Sequence, residues 1–182
     1  ADYVFKRGVL SQSGSGFGAL ENLRRQKSGE RLLPEHLEFG QPGAPQRHWM
    51  TLLETGRLPN PQPDEVPPSY LVDDAWFALV RRSRERDEQN WYAAYMEGFF
   101  LISRGAYPEA EACFEASREL QPACWNLYAL AVCRYAQQDT EGGVPYLLEA
   151  MDRRPNDISL ARDVFRFLQE CGQYDRIVER YA

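Results

Sequence analysis

Three side chains that could perform acid–base chemistry or bind a metal lie close together in the chain: Glu35, His36 and Glu38. Catalysis would need a further group at hydrogen-bonding distance, such as a nucleophile activated by the histidine. The sequence nominates no Ser or Cys partner, and one histidine among loop carboxylates is common on solvated surfaces. We therefore predict that the chain is not an enzyme and has no catalytic residue.

A glycine run could cradle a phosphate, because Gly14, Gly16 and Gly18 precede a predicted helix. A dinucleotide-binding loop needs a strand before it, a third glycine three residues after the second, and a βαβ unit around it. Here the third glycine follows the second too early, and the chain has no βαβ pattern and no Gly-Lys-Ser/Thr motif. We predict no cofactor and interpret the run as a flexible loop that caps a short helix over Ala19–Lys27.

The four cysteines form no Cys-x-x-Cys pair and lie on predicted helices: Cys113, Cys124, Cys133 and Cys171. A structural zinc site would need close cysteine pairs or nearby histidines. The only histidines are His36 and His48. We predict buried, reduced thiols, no metal, and a cytoplasmic location, where disulfides are rare.

The composition indicates a globular chain, since 43% of its 182 residues are hydrophobic and 13% are aromatic. The length suits one domain, or one domain with a large appendage. The formal net charge of −6 argues against nucleic acid or an anionic membrane as the partner. No apolar run approaches the roughly 20 residues of a membrane helix. The absent initiator Met is consistent with a fragment of a longer protein.

A helical hairpin is predicted between Trp91 and Pro122. Apolar residues recur at helical spacing after Trp91. Gly105 ends the first helix, because glycine tolerates the left-handed conformation of a helix stop. Pro108 stands where a second helix begins, a position at which its missing N–H costs nothing.

This hairpin resembles a tetratricopeptide repeat (TPR). Gly98 matches the small residue in the first helix of that family, Ala110 with Phe114 matches its Ala and Phe four residues apart, and Pro122 matches its closing proline. Three positions depart from the family's Trp, Leu and Tyr: Ala94, Glu97 and Leu101.

One repeat cannot bury its apolar face alone, so the resemblance implies neighbours. Pro122 to Pro155 is 155 − 122 = 33 residues, one short of the usual period, and Leu130-Ala131 matches the family's Leu-Gly pair. Gly172-Gln173-Tyr174 mirrors Gly105-Ala106-Tyr107 and marks a third copy. The predicted fold class is all-α, an α-α superhelix of about three TPR-like hairpins.

Residues 1–72 carry most of the glycines and prolines and no repeat. We predict an irregular arm that packs on the repeats, with a short helix over Gln46–Thr55 and an extended, proline-rich stretch over Leu58–Ser69. Asp73 and Asp74 are placed to begin a helix, and we predict that this helix closes the open end of the repeat stack as a capping helix. The predicted domains are the arm, 1–72, and the helical repeat domain, 73–182. The paired arginines, including Arg24-Arg25 and Arg153-Arg154, are interpreted as solvated helix faces.

In a TPR stack the first helix of each pair lines the concave surface, so the resemblance implies a partner-binding groove. Tyr95 and Phe99 replace the Lys and Asn with which related domains clamp a peptide carboxylate, so we do not expect that ligand. Two interpretations stay open: the arm of the same chain covers the aromatic residues, or they bind a partner segment. The predicted groove residues are Tyr92, Tyr95, Phe99, Trp125, Tyr128, Val132, Tyr135, Arg162 and Arg166.

The resemblance favours a non-catalytic protein-interaction or scaffolding module within a larger bacterial protein. Its partner would be a protein or peptide segment, its own arm or an upstream domain included. The segment Arg7–Glu21 is similar to the region before TPR units in large, uncharacterised bacterial proteins, and this resemblance implies an upstream β-rich, sugar-binding domain. The alternative function is therefore a carbohydrate-associated binding module, in which Trp and Tyr faces stack on sugar.

Overall fold

The computed structural model describes residues 16–34, 37–63 and 65–181, which form helices joined by loops and contain no strand. The predicted all-α fold class is confirmed. The helices are α1 (Phe17–Ser28), α2 (Arg47–Thr55), α3 (Asp74–Arg86), α4 (Trp91–Ile102), α5 (Tyr107–Leu120), α6 (Cys124–Ala136), α7 (Thr140–Arg153), α8 (Ile158–Glu170) and α9 (Tyr174–Tyr181). The interpretations placed on Gly14, Glu35 and His36 fall outside the described residues.

Two compact units divide the chain. The first comprises Ala1–Asn60 and Val66–Met96, and the second comprises Pro61–Glu65 and Glu97–Ala182. The division falls inside α4, so that helix contributes its first half to one unit and its second half to the other. The domains predicted at 1–72 and 73–182 follow sequence composition, and that division stays a prediction.

In the first unit, α1 begins and ends at glycines whose φ angles are positive, 88° at Gly16 and 72° at Gly29. Its buried side includes Leu20 and the charged pair Glu21 and Arg24. Leu23, which the sequence places on the same face as Leu20, is 39% exposed. The interpretation of Arg24 as a solvated residue is wrong, because Glu21 holds its guanidinium at 2.8 Å inside the unit.

The remaining helices of the first unit pack through aromatic residues. Trp49 of α2 and Trp76 of α3 meet edge to face, with their ring centroids 5.6 Å apart. The predicted cap of α3 is confirmed, since the Asp73 carboxylate accepts a hydrogen bond of 2.8 Å from the backbone N–H of Ala75. The Trp49 indole N–H donates to the Ser69 hydroxyl at 2.9 Å, which ties α2 to the far end of the proline-rich stretch.

The second unit consists of helices that pack against their neighbours in the chain, α5 on α6 and α6 on α7. The predicted stops at Gly105 and Gly172 are confirmed, because both residues take left-handed conformations, with φ of 73° and 70°. Gln138 fills the corresponding turn of the middle hairpin at φ 64°. The following helix begins at Thr140 and runs through Pro145, with the Asp139 carboxylate accepting from the N–H of Gly142 at 3.0 Å.

A largely aliphatic cluster of buried residues on α6, α7 and α8 forms one part of the core of the second unit. Leucines and valines of this kind contribute about 1.5–3 kcal/mol each when fully buried. The buried members of this cluster are Cys124, Leu127, Ala131, Val144, Leu147, Ala150, Met151, Leu160, Val164 and Leu168.

The four cysteines are free thiols; Cys171 is half-buried and the other three are buried. Among the described residues, every helix is too short or too polar to span a membrane.

Candidate partner-binding face

The nine predicted groove residues fall into both units. Tyr92 and Tyr95 lie on the first half of α4, within the first unit. Phe99 lies on the second half of α4, and the remaining six lie on α6 and α8, all in the second unit. The predicted groove residues therefore form two sets of side chains, one in each unit.

Tyr92 and Tyr95 are covered by residues of their own chain. They are only 1% and 3% exposed. The Tyr92 hydroxyl lies 3.1 Å from Nδ1 of His48, and the Tyr95 hydroxyl lies 2.9 Å from that of Tyr70. For these two residues the first of the two interpretations holds, because residues below 73 contact their rings and hydroxyls. The binding role predicted for them stays a prediction.

Trp125, at the start of α6, is held both at its edge and on its face. Its indole N–H donates to the backbone carbonyl of Glu65 at 3.1 Å. The guanidinium carbon of Arg154 lies 5.0 Å from the ring centroid, a cation–π distance. Arg154 in turn pairs with Asp157 at 3.1 Å. Sequence patterns signalled neither contact, and Arg154 is half-buried rather than solvated.

Tyr128, Val132 and Tyr135 follow Trp125 along one side of α6, at helical spacing. Burial raises the pKa of Tyr128, Asp163 of α8 raises it further, and Arg166 opposes the change. Tyr135 is 42% exposed, and its ring centroid lies 4.6 Å from that of Phe167 of α8. The sides of α6 and α8 that carry these residues are thus adjacent. We define the α6–α8 face as Trp125, Tyr128, Val132, Tyr135, Arg162 and Arg166.

The α8 end of this face carries both signs of charge. Arg162 and Arg166 flank Asp163, with nitrogen–oxygen distances of 3.9 Å and 3.4 Å. Both arginines are well exposed, at 76% and 68% of the side chain, so these pairs contribute at most about 1 kcal/mol each. Two arginines and the aspartate between them therefore alternate in charge at this end of the face.

Two further aromatic residues of the second unit, Phe99 and Phe167, bear on the predicted groove. Phe99 is half-buried, and its predicted place in a groove stays a prediction. Phe167 was not predicted as a lining residue, although it covers one side of Tyr135.

Within the described residues, no three His, Cys, Asp or Glu side chains are grouped as metal ligands would be.

Comparison of the chain with protein-family models and with curated proteins identifies no relative. The chain matches no protein-family model, and a search of curated proteins gives no match. The resemblance to TPR therefore stays a prediction that depends on the residue pattern of the sequence.

Proposed function

We propose that this chain is a non-catalytic, TPR-like interaction module, part of a larger bacterial protein, whose α6–α8 face binds a short segment of a partner protein. The observation that supports this is the make-up of the face. It combines the half-buried rings of Trp125 and Tyr128 with exposed Tyr135 and two exposed arginines. Aromatic residues and arginine are the types enriched where proteins bind each other.

Each part of the face has a physical role in such binding. Tyr and Trp rings offer apolar area at low entropic cost and keep one polar atom for a directed hydrogen bond. Arg162 and Arg166 are held only by weak surface pairs with Asp163. A carboxylate or carbonyl of a partner can therefore replace Asp163 at little cost in free energy.

A protein segment fits this face better than a carbohydrate does. A sugar ring stacks on an open aromatic face, whereas Arg154 covers one face of Trp125 and Phe167 packs against Tyr135. The free thiols fit a reducing compartment, and we propose a cytoplasmic location.

A peptide library displayed on phage and panned against the whole chain tests this function. Enriched peptides are synthesised, and their affinity is measured by fluorescence anisotropy. We expect the double variant Tyr135→Ala, Arg166→Ala to weaken binding at least about tenfold, which corresponds to roughly 1.4 kcal/mol.

The matched control is Arg118→Ala on α5. Arg118 pairs with a carboxylate three residues before it, Glu115, just as Arg166 pairs with Asp163. Its removal should leave peptide affinity unchanged. Peptides that bind the double variant and the parent chain equally well would contradict a binding role for the α6–α8 face.

A further inference from the structure

A short proline-containing segment is part of the second unit although its neighbours in the chain are not. Residues Pro61–Glu65, with the sequence Pro-Gln-Pro-Asp-Glu, group with the second unit, while the residues on either side of them group with the first. One contact of the segment with the second unit is the hydrogen bond of 3.1 Å from the Trp125 indole to the Glu65 carbonyl. Sixty residues of sequence separate these two partners.

The segment forms a turn. The backbone N–H of Glu65 donates to the carbonyl of Gln62 at 3.0 Å, which places Pro63 at the second position of a four-residue turn. Proline favours that position because its ring fixes φ near the value that type I and type II turns require. Such a turn is largely formed before it binds, so little conformational entropy is lost on docking.

Trp125 is suited to recognise the backbone of such a turn rather than a particular side chain. An indole N–H is a donor only, and here its acceptor is a main-chain carbonyl. Arg154 lies over the indole, and its own pair with Asp157 at 3.1 Å fixes it in place. The ring is therefore oriented by groups of the same unit, with its N–H directed to one carbonyl position.

We propose that the Trp125 end of the α6–α8 face is a recognition site for proline-containing turns, and that Pro61–Glu65 occupies it in cis. This inference rests on the proposed function and names the class of segment that the face accepts. A tethered segment has an effective concentration in the millimolar range. A partner turn must displace it, so its apparent affinity falls in proportion to the fraction of the site left open.

The test follows the indole N–H of Trp125 by NMR in the whole chain with 15N-labelled tryptophan. The chain has four tryptophans, and Trp125→Phe identifies the signal that belongs to Trp125. One variant replaces residues 61–65 by Gly-Ser-Gly-Ser-Gly, and Pro63→Ala is a milder second variant. In the Gly-Ser variant we expect the Trp125 signal to shift. Its N–H hydrogen should also exchange about tenfold faster, because a tenfold change corresponds to roughly 1.4 kcal/mol, the size of one lost hydrogen bond. The other three signals should keep their positions and show that the chain is folded.

A synthetic peptide with the sequence of residues 60–66 then supplies the turn in trans. In the Gly-Ser variant it should return the Trp125 signal towards its original position with saturable binding. In the parent chain the same effect should need at least about tenfold more peptide. A control peptide with both prolines replaced by alanine should bind at least about tenfold more weakly, because its turn is not preformed.

Three results would overturn the inference: an unmoved Trp125 signal in the Gly-Ser variant, no return of the signal with peptide, or equal binding of the alanine peptide. The turn-recognition inference can fail while the proposed binding function of the α6–α8 face still holds. If the Trp125 signal is unmoved while library peptides still require Tyr135 and Arg166, the α6–α8 face binds partners but not through a turn at Trp125.

Discussion

Gly98 lies against the ring of Phe114 so closely that a β-carbon on the glycine would come within 2.7 Å of Cε1 and 2.9 Å of Cζ. Carbon atoms in contact normally stand about 3.5–4.0 Å apart. Phe114 is fully buried and its ring fills the space that a larger residue at 98 would need. The small residue that the TPR resemblance assigns to the first helix therefore lies against Phe114 of the second helix.

We expect Gly98→Ala to lower the free energy of unfolding by roughly 1–3 kcal/mol, because the added methyl overpacks a core contact. Urea denaturation followed by circular dichroism measures the change. In a Phe114→Leu background the cost should be smaller, since the smaller side chain makes room and the two changes are coupled.

The control for this prediction is Gly43→Ala. A β-carbon at Gly43 would meet its nearest neighbour only at 4.0 Å, and φ there is −138°, which suits any residue. Its effect should stay within about 0.5 kcal/mol. Equal stability of Gly98→Ala and the parent chain would show that the contact tolerates a β-carbon.

Features decided within a few residues of sequence were predictable. The helix stops at Gly105 and Gly172 and the cap at Asp73 depend on local backbone geometry, which residue type reports directly. The contacts of Trp125 with Glu65 and of Trp76 with Glu21 join residues 60 and 55 positions apart. Helical periodicity says which side of a helix is apolar but not what covers it, so the Trp125 contact could not be found in the sequence.

Arg24 shows a second limit of sequence patterns. A basic pair flanked by acids looks the same whether it faces water or the core, and here Arg24 of the pair is buried. Glu21 accepts hydrogen bonds from Arg24 at 2.8 Å and from the Trp76 indole at 2.9 Å. Burial alone would raise the pKa of Glu21, but the hydrogen bonds from Arg24, Arg25 and Trp76 lower it overall.

We expect Glu21→Gln to lower the free energy of unfolding at pH 7 by about 1–3 kcal/mol, because it leaves buried donors without a charged acceptor. The pH dependence has a definite sign. Hydrogen bonds from Arg24 and Ser28 also hold the pKa of Glu30 at about 2, below its ordinary 4.5. The unfolded chain therefore takes up protons at both carboxylates first, and stability falls as the pH drops from about 4.5 towards 2.

Urea denaturation at pH 7, 4.5 and 3 measures this dependence. The parent chain should lose stability between the last two values, and Glu21→Gln should lose less, because one of the two carboxylates no longer titrates. Glu119→Gln, at an exposed position of α5, is the control and should follow the parent chain. A pH dependence that is identical in Glu21→Gln would contradict the role assigned to Glu21.

The thiols should differ in reactivity. Burial raises the pKa of Cys133 to about 12, so its thiolate is scarce at pH 8 and the side chain is shielded as well. With Ellman's reagent at pH 8, we expect half-buried Cys171 to react first in the native chain. All four thiols should react in denaturant. Cys171→Ser should remove the fast phase, and fast labelling of Cys133 would contradict its burial.

The hydroxyls of Tyr70 and Tyr95 lie 2.9 Å apart and join the arm to the first half of α4. Because Tyr95 is only 3% exposed, removing either hydroxyl deletes this hydrogen bond in a place that water reaches poorly. Tyr70→Phe and Tyr95→Phe should each lower the free energy of unfolding, and the double variant should lose less than the sum. We expect a coupling of about 0.5–1.5 kcal/mol in a double-mutant cycle measured by urea denaturation. Thr55→Ala is the control partner for Tyr95→Phe. The Thr55 hydroxyl bonds to the carbonyls of Thr51 and Arg57 and accepts from the N–H of Arg57, so that pair should be additive. Additive losses for Tyr70 and Tyr95 as well would show that the hydroxyl contact does not hold the arm in place.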